Sequence, residues 1–308
     1  VNHLFEKKDK KIKFDTVLNF KNTNFKVDQI NYKKKHKTNM LLQITGEISD
    51  GKNLNMNNLI INEENNKIKI TNLFLSQYNK VTNIDLAEFI YLDTENKKNQ
   101  FTVKKTSDFD YIINGNFFNA NSLISNLIEY EEQKEINFFE KDLNIELNLK
   151  EVYIDEIYFV KGLKGKLIIK NNKVHDADII AIFDSSQNMK FTIRTNEQGE
   201  KITTLFSSKA KPLVNRYKFI KGFEDGRDGY LDFYSLKKNG LSTSNLVIDN
   251  FKVKEIPALA KLLALASLQG LADLLTGEGI RFTDFEMNFT NKNKLLRIQE
   301  LYAIGPAV

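Results

Sequence analysis

Apolar and polar residues alternate along most of this 308-residue chain. Over 11–20, Ile12, Phe14, Leu18 and Phe20 fall on one side, with Lys13, Asp15 and Asn19 on the other. A period of two is the signature of a strand with one face buried. The same spacing predicts strands at 40–47, 59–61, 68–70 and 109–117. It is cleanest at 143–150, where Leu143, Ile145, Leu147 and Leu149 oppose Asn144, Glu146, Asn148 and Lys150. It continues through 166–170, 177–183 and 189–194, where Met189, Phe191 and Ile193 share a side. Strands at 230–234 and 246–253 follow, then Phe285, Met287 and Phe289 on one side, then a last strand at 295–303. Gly51, Asn171-Asn172-Lys173, Gln198-Gly199 and the pair Gly226 and Gly229 carry turn composition.

Two stretches break the alternation. Residues 256–279 have helical spacing. Leu259, Leu262, Leu263 and Ala266 mark one stripe, and Leu265, Leu268, Ala272 and Leu275 a second. Leu271 adds to this apolar surface. Pro257 suits the first turn, and Gly277 and Gly279 the stop. A helix apolar on most sides plugs a β core or meets a membrane surface. Its uncharged run, 262–272, is about half the ~20 residues that a bilayer span requires. The second stretch, 119–130, is a short helix with Leu123, Leu127 and Tyr130 on one face and Asn119 or Asn121 as the cap. The acidic run after it places a boundary near 133, giving regions 1–133 and 134–308.

Short strands joined by short turns predict an antiparallel sheet. With so few helices to cover it, the expected architecture is mainly β: an elongated, curled sheet forming an apolar groove, with the Leu/Ala-rich helix 257–275 near its end. The same alternation would also serve a closed sandwich or barrel.

Composition narrows the chemistry. There is no Cys, so no disulfide, no thiolate nucleophile and no Cys-ligated zinc. The three histidines, His3, His36 and His175, lack a metal-ligand spacing. There is no G-x-S-x-G elbow. Gly162-Leu163-Lys164-Gly165-Lys166 is too short for a phosphate loop and fits a hairpin. Glu224, Asp225 and Asp228 do not have calcium-loop spacing. We therefore expect no enzyme, no cofactor and no metal site. The net charge is +5 and the sequence pI about 8.9. The one basic cluster, Lys33, Lys34, Lys35, His36 and Lys37, is expected to be a solvated strand end or turn. No basic stripe interleaved with aromatics suggests nucleic acid. The excess of Asn, Lys and Ile is read mainly as codon bias. No apolar leader is visible, and we expect the chain to be a piece cut at both ends.

Residues 250–307 carry a more specific pattern. A strand leads into Pro257 and the Leu-rich helix, followed by Gly277-Glu278-Gly279-Ile280-Arg281-Phe282, an alternating strand pair, and Gly305-Pro306-Ala307. In order and spacing this resembles the C-terminal region of the AsmA/TamB-type periplasmic proteins of Gram-negative bacteria. Residues 147–232 and 114–127 resemble the family more weakly. The chain departs from it in having no N-terminal membrane helix and no strands after Val308. The resemblance implies a β-groove protein of the periplasm, anchored to the inner membrane by segments outside this chain. It implies non-enzymatic phospholipid movement between inner and outer membranes, or support of outer-membrane integrity. Envelope-protein partners are the alternative, with the chain as an assembly scaffold for outer-membrane proteins.

The expected lining for acyl chains is Leu143, Ile145, Leu147, Leu149, Met189, Phe191, Ile193, Phe285, Met287 and Phe289. Leu259, Leu262, Leu263, Leu268, Leu271 and Leu275 would meet the groove or a membrane. Alternation makes such a track because every second side chain lines it.

Overall fold

The computed structural model describes residues 2–8, 11–49, 53–125, 139, 141–217, 220–254, 279–293 and 295–306. The expected helix at 257–275, and with it Leu259, Leu262, Leu263, Leu268, Leu271 and Leu275, lies outside those residues, as does Gly51. Among the described residues the fold is mainly β, an open mixed sheet with few helices and not a closed barrel. The chain divides into two compact units, Val1–Val174 and His175–Val308.

The first unit holds β1 (Asn2–Lys8), β2 (Lys11–Phe20), β5 (Met40–Ser49), β6 (Asn53–Glu63), β7 (Asn66–Leu75), β8 (Val81–Asn83), β9 (Leu86–Leu92), β10 (Lys98–Lys105), β11 (Asp110–Asn119), β12 (Leu143–Tyr153) and β13 (Phe159–Lys170). They pair in the order β1-β2-β5-β6-β7-β9-β10-β11-β12-β13, with β8 against the end of β7. Two tiny strands, β3 (Lys26–Val27) and β4 (Tyr32–Lys33), form a separate pair between β2 and β5. The expectation of a purely antiparallel sheet is corrected at β11 and β12, which are parallel. Parallel neighbours need a crossover rather than a hairpin. The crossover is 120–142, and it begins with α1 (Asn121–Ile124), the described part of the helix expected at 119–130. β11 and β12 pair across it, and the two compact units meet after Val174.

The second unit is a meander: β14 (Lys173–Ile182), β15 (Asn188–Thr195), β16 (Lys201–Ser207), β17 (Phe223–Lys238), β18 (Leu241–Val253), β19 (Ile280–Lys292) and β20 (Leu295–Ile304), each antiparallel to the next. A short helix, α2 (Lys211–Tyr217), packs Leu213 and Val214, with Ala210 before it, onto Phe223, Leu231, Ile248, Phe251 and Phe285.

Local chemistry explains the turns. Among the described residues, nine of the twelve non-glycine residues with positive φ are Asn, which tolerates the left-handed conformation well. Asn171 and Asn172 both adopt it, as a type I′ turn requires. The Asn excess thus has a structural use beyond codon bias. Two expected turns are corrected. Gly162 (φ 56) lies inside β13 rather than in a hairpin. Gly226 and Gly229 lie inside β17, at a bulge between Asp225 and Tyr230. A Cβ on Gly229 would sit 2.4 Å from the Asn250 carbonyl oxygen, so only glycine fits this close approach.

Candidate functional site

Residues directly opposite each other in a ladder point to the same face, so register converts single strands into rows crossing the sheet. In the second unit three such rows run side by side. The first joins Ala181, Met189, Ser207, Leu231, Ile248 and Phe285, ending at Ala303. The second joins Ile179, Phe191, Leu205, Phe233, Leu246 and Met287, ending at Leu301. The third joins Ala177, Ile193, Thr203, Ser235, Ser244 and Phe289, ending at Ile298. Six expected lining residues from β15 and β19 therefore share one face and sit pairwise in three rows.

The rows differ in accessibility. The first is buried from Ala181 through Phe285, and its Leu231, Ile248 and Phe285 belong to the core cluster that takes in Leu213 and Val214 of α2. The second is half-exposed at Ile179, Phe191, Leu205, Phe233 and Met287, and open at Leu301, with only Leu246 buried. Between these rows the face changes from sealed core to an apolar surface within reach of a guest.

The first unit repeats the arrangement. One row joins Leu18, Leu42, Ile61 and Ile68, then Phe89, Phe101, Gly115, Leu149 and Leu163. Most of it is buried. The adjoining row joins Ile44, Leu59 and Ile70, then Ala87, Val103, Ile113 and Leu147, and is half-exposed except at Ala87. Ile145 lies in the next row, between Tyr111 and Leu167. Of the ten expected lining residues, Leu143, Leu149, Met189, Ile193 and Phe285 are packed into the sheet's own core. Ile145, Leu147, Phe191, Met287 and Phe289 are half-exposed.

The polar groups on this side of the first unit are engaged by neighbours. Glu63 is fully buried at the end of β6. One carboxylate oxygen accepts from the Lys35 N–H at 2.7 Å and the Thr38 hydroxyl. The other accepts from the Tyr32 hydroxyl at 2.5 Å and Asn66 Nδ2 at 3.2 Å. Four donors match the four acceptor sites of a carboxylate. Burial pushes this carboxyl up, but those hydrogen bonds outweigh it and hold it below the usual carboxylate range. Burial beside Glu63 pushes the Tyr32 phenol up, so it stays protonated and donating. The Tyr32 ring packs edge-on against Tyr91, and thereby the β3–β4 excursion closes over the sheet.

The basic cluster needs a correction here. Lys33, Lys35, His36 and Lys37 are exposed as expected, but Lys34 is buried, its ammonium donating to the Lys21 and Lys35 carbonyls at 2.9 Å each. His175 is half-buried beside Asp176, Nδ1 to Oδ2 2.6 Å. Asp93 accepts from the Glu95 and Lys97 N–H groups and from Asn99 and Asn119. Among the described residues no group of three or more His, Asp or Glu is arranged to hold a metal ion.

Fold and face together define a class: an open β-sheet protein whose units each set a half-exposed apolar row beside a sealed one. No protein-family model, no curated protein and no solved structure matches this chain. The likeness at 250–307 thus rests on the residues themselves.

Proposed function

We propose that this chain is part of a non-enzymatic conduit that moves phospholipids between the inner and outer membranes of a Gram-negative envelope, supporting outer-membrane integrity. The observation that carries the reading is the apolar row from Ile179 to Met287, half-exposed except at Leu246, matched in the first unit by the row from Ile44 to Leu147, half-exposed except at Ala87. An acyl chain gains roughly 0.8 kcal/mol for each CH₂ it buries. A continuous row supplies that gain without any catalytic group, and successive strands offer equivalent positions at about 4.8 Å steps. Phe and Met suit irregular, mobile chains because they adapt their packing. Periplasmic residence and inner-membrane anchoring through segments outside this chain belong to the same proposal, on the likeness at 250–307.

The test is Ile145→Asp combined with Phe191→Asp, one change in each unit. Phe191 lies on the half-exposed row of the second unit and Ile145 on the row next to that of Leu147, and a charge at either place is costly for a covering guest to desolvate. The double variant should fold yet lose lipid transfer between donor and acceptor vesicles. Full transfer by the folded double variant would sink the conduit.

A second reading, an assembly scaffold for outer-membrane proteins, is favoured by β20. Among the described residues β20 pairs only with β19, leaving an open edge of the kind that accepts another strand. It also exposes Leu295, Leu296, Ile298, Leu301, Tyr302 and Ile304. A photo-crosslinker at Phe191 separates the two readings: lipid adducts support the conduit, polypeptide adducts the scaffold.

A further inference from the structure

β20 departs from the rule of one apolar side and one polar side. Every residue from Leu295 to Tyr302 is exposed, whichever face of the sheet it is on. Five of those eight are Leu, Ile or Tyr. Among the described residues the edge turned away from β19 has no strand beside it, so its N–H and C=O groups are open to another strand. Edge strands are ordinarily blunted by lysines, by proline or by being short. β20 has ten residues, no Lys and no Pro, and its charges are Arg297 and Glu300.

The ladder with β19 assigns each residue to a face. Leu296 lies opposite Asn291 and Ile298 opposite Phe289, while Leu301 lies opposite Met287 and Ala303 opposite Phe285. All four are therefore on the lined face, although two have even numbers and two have odd. The reversal comes from the bulge between Asn288 and Phe289, where Gln299 is the extra residue. Leu295, Arg297, Glu300, Tyr302 and Ile304 are on the opposite face. Outward from the bulge the strand is symmetric in chemical type. Arg297 matches Glu300, Leu296 matches Leu301, and Leu295 matches Tyr302, and the members of each pair share a face.

We propose that β20 pairs antiparallel with β20 of a second copy of this chain, about a two-fold axis that passes through the bulge perpendicular to the sheet. This goes beyond the conduit reading and does not rest on it. Arg297 of each copy then meets Glu300 of the other, which gives two ion pairs on one face. Leu296 meets Leu301 on the lined face, and Leu295 meets Tyr302 on the other. Such an axis keeps each face of the sheet on its own side, so residues that meet must share a face. In an unbroken strand only residues an even number apart do so. These partners are three, five and seven apart, and the extra Gln299 supplies the offset that matches them. Glu300 accepts from Asn288 Nδ2 at 3.4 Å, and a carboxylate has further acceptor sites for a guanidinium. The complementarity of the strand to itself selects a second copy over an unrelated strand. The same patch serves both copies, so the contact closes at two.

Sedimentation velocity of the full chain over a range of concentrations reads the association, and a dimer of 35.7 kDa chains is expected. Arg297→Glu brings carboxylates together at both symmetric sites, and Glu300→Arg brings guanidinium groups together. Each change should raise the dissociation constant of the dimer about tenfold. The two changes combined rebuild both ion pairs in reverse and should restore the dimer, which a merely damaged strand would not do. Leu296→Cys with Leu301→Cys, in a chain with no cysteine of its own, should oxidise to a covalent dimer. A chain that stays monomeric overturns the pairing and leaves the edge to the client strand of the scaffold reading. Growth beyond two copies overturns the closed two-fold contact. A dimer indifferent to the single charge reversals, or not recovered by the combined change, overturns the register and with it this interface. None of these outcomes bears on lipid transfer, so the conduit stands or falls separately.

Discussion

Glu63 is a buried charge held by full satisfaction rather than by a counter-ion. Its four donors come from β4's flank, the following turn and β7, so it fastens the β3–β4 excursion to the sheet. Its folded carboxyl is harder to protonate than the unfolded one. The stability it confers is therefore present above the unfolded carboxylate range and lost as pH falls through the folded value. Glu63→Gln should cost about 2 kcal/mol at neutral pH, since donors lose a charged acceptor and the new amide presents N–H groups to N–H groups. The variant's stability should also fall less steeply than that of the unaltered chain below about pH 4.5. Urea titrations at neutral and acid pH measure both effects. No spacing in the sequence marks this site: Tyr32, Thr38, Glu63 and Asn66 converge only because β5, β6 and β7 are antiparallel neighbours.

At the scale of elements, the bulge in β17 shows how one composition serves two structures. Glu224-Asp225-Gly226-Arg227-Asp228-Gly229 reads as a turn, because Gly and Asp dominate turns. In the folded chain both glycines press against β18 at Asn250, itself left-handed at φ 52, and the strand runs on. Gly229→Val should therefore disturb the β17–β18 pairing and cost roughly 2–3 kcal/mol. Gly240→Ala, in an open turn at φ 74, should cost only about 1 kcal/mol. Thermal and urea denaturation of the two variants checks the ordering. The alternation itself was legible, because a period of two follows from strand geometry whatever the neighbours are. Leu147 and Leu149 were indistinguishable in sequence, yet one is half-exposed and the other buried.

On the scale of the whole molecule, nearly every described ladder joins strands adjacent or nearly adjacent in sequence. Stability then approximates a sum of neighbour terms, as in repeat folds, rather than one cooperative core. Val160, fully buried on β13 opposite Val152, tests this. Val160→Ala should lower hydrogen-exchange protection in β12 and β13 while leaving β18 and β19 near their original values. A uniform loss of protection across both units would contradict the additive picture.

The sequence by itself determined that this chain is mainly β, which side chains of each strand share a side, and that cysteine chemistry is excluded, because these depend on residue type and local periodicity alone. Tertiary structure decided the rest. The parallel join of β11 and β12, and which residues of neighbouring strands meet in one row, arise from register between strands. Register is set by every pairing along the sheet at once, and no single stretch of residues encodes it.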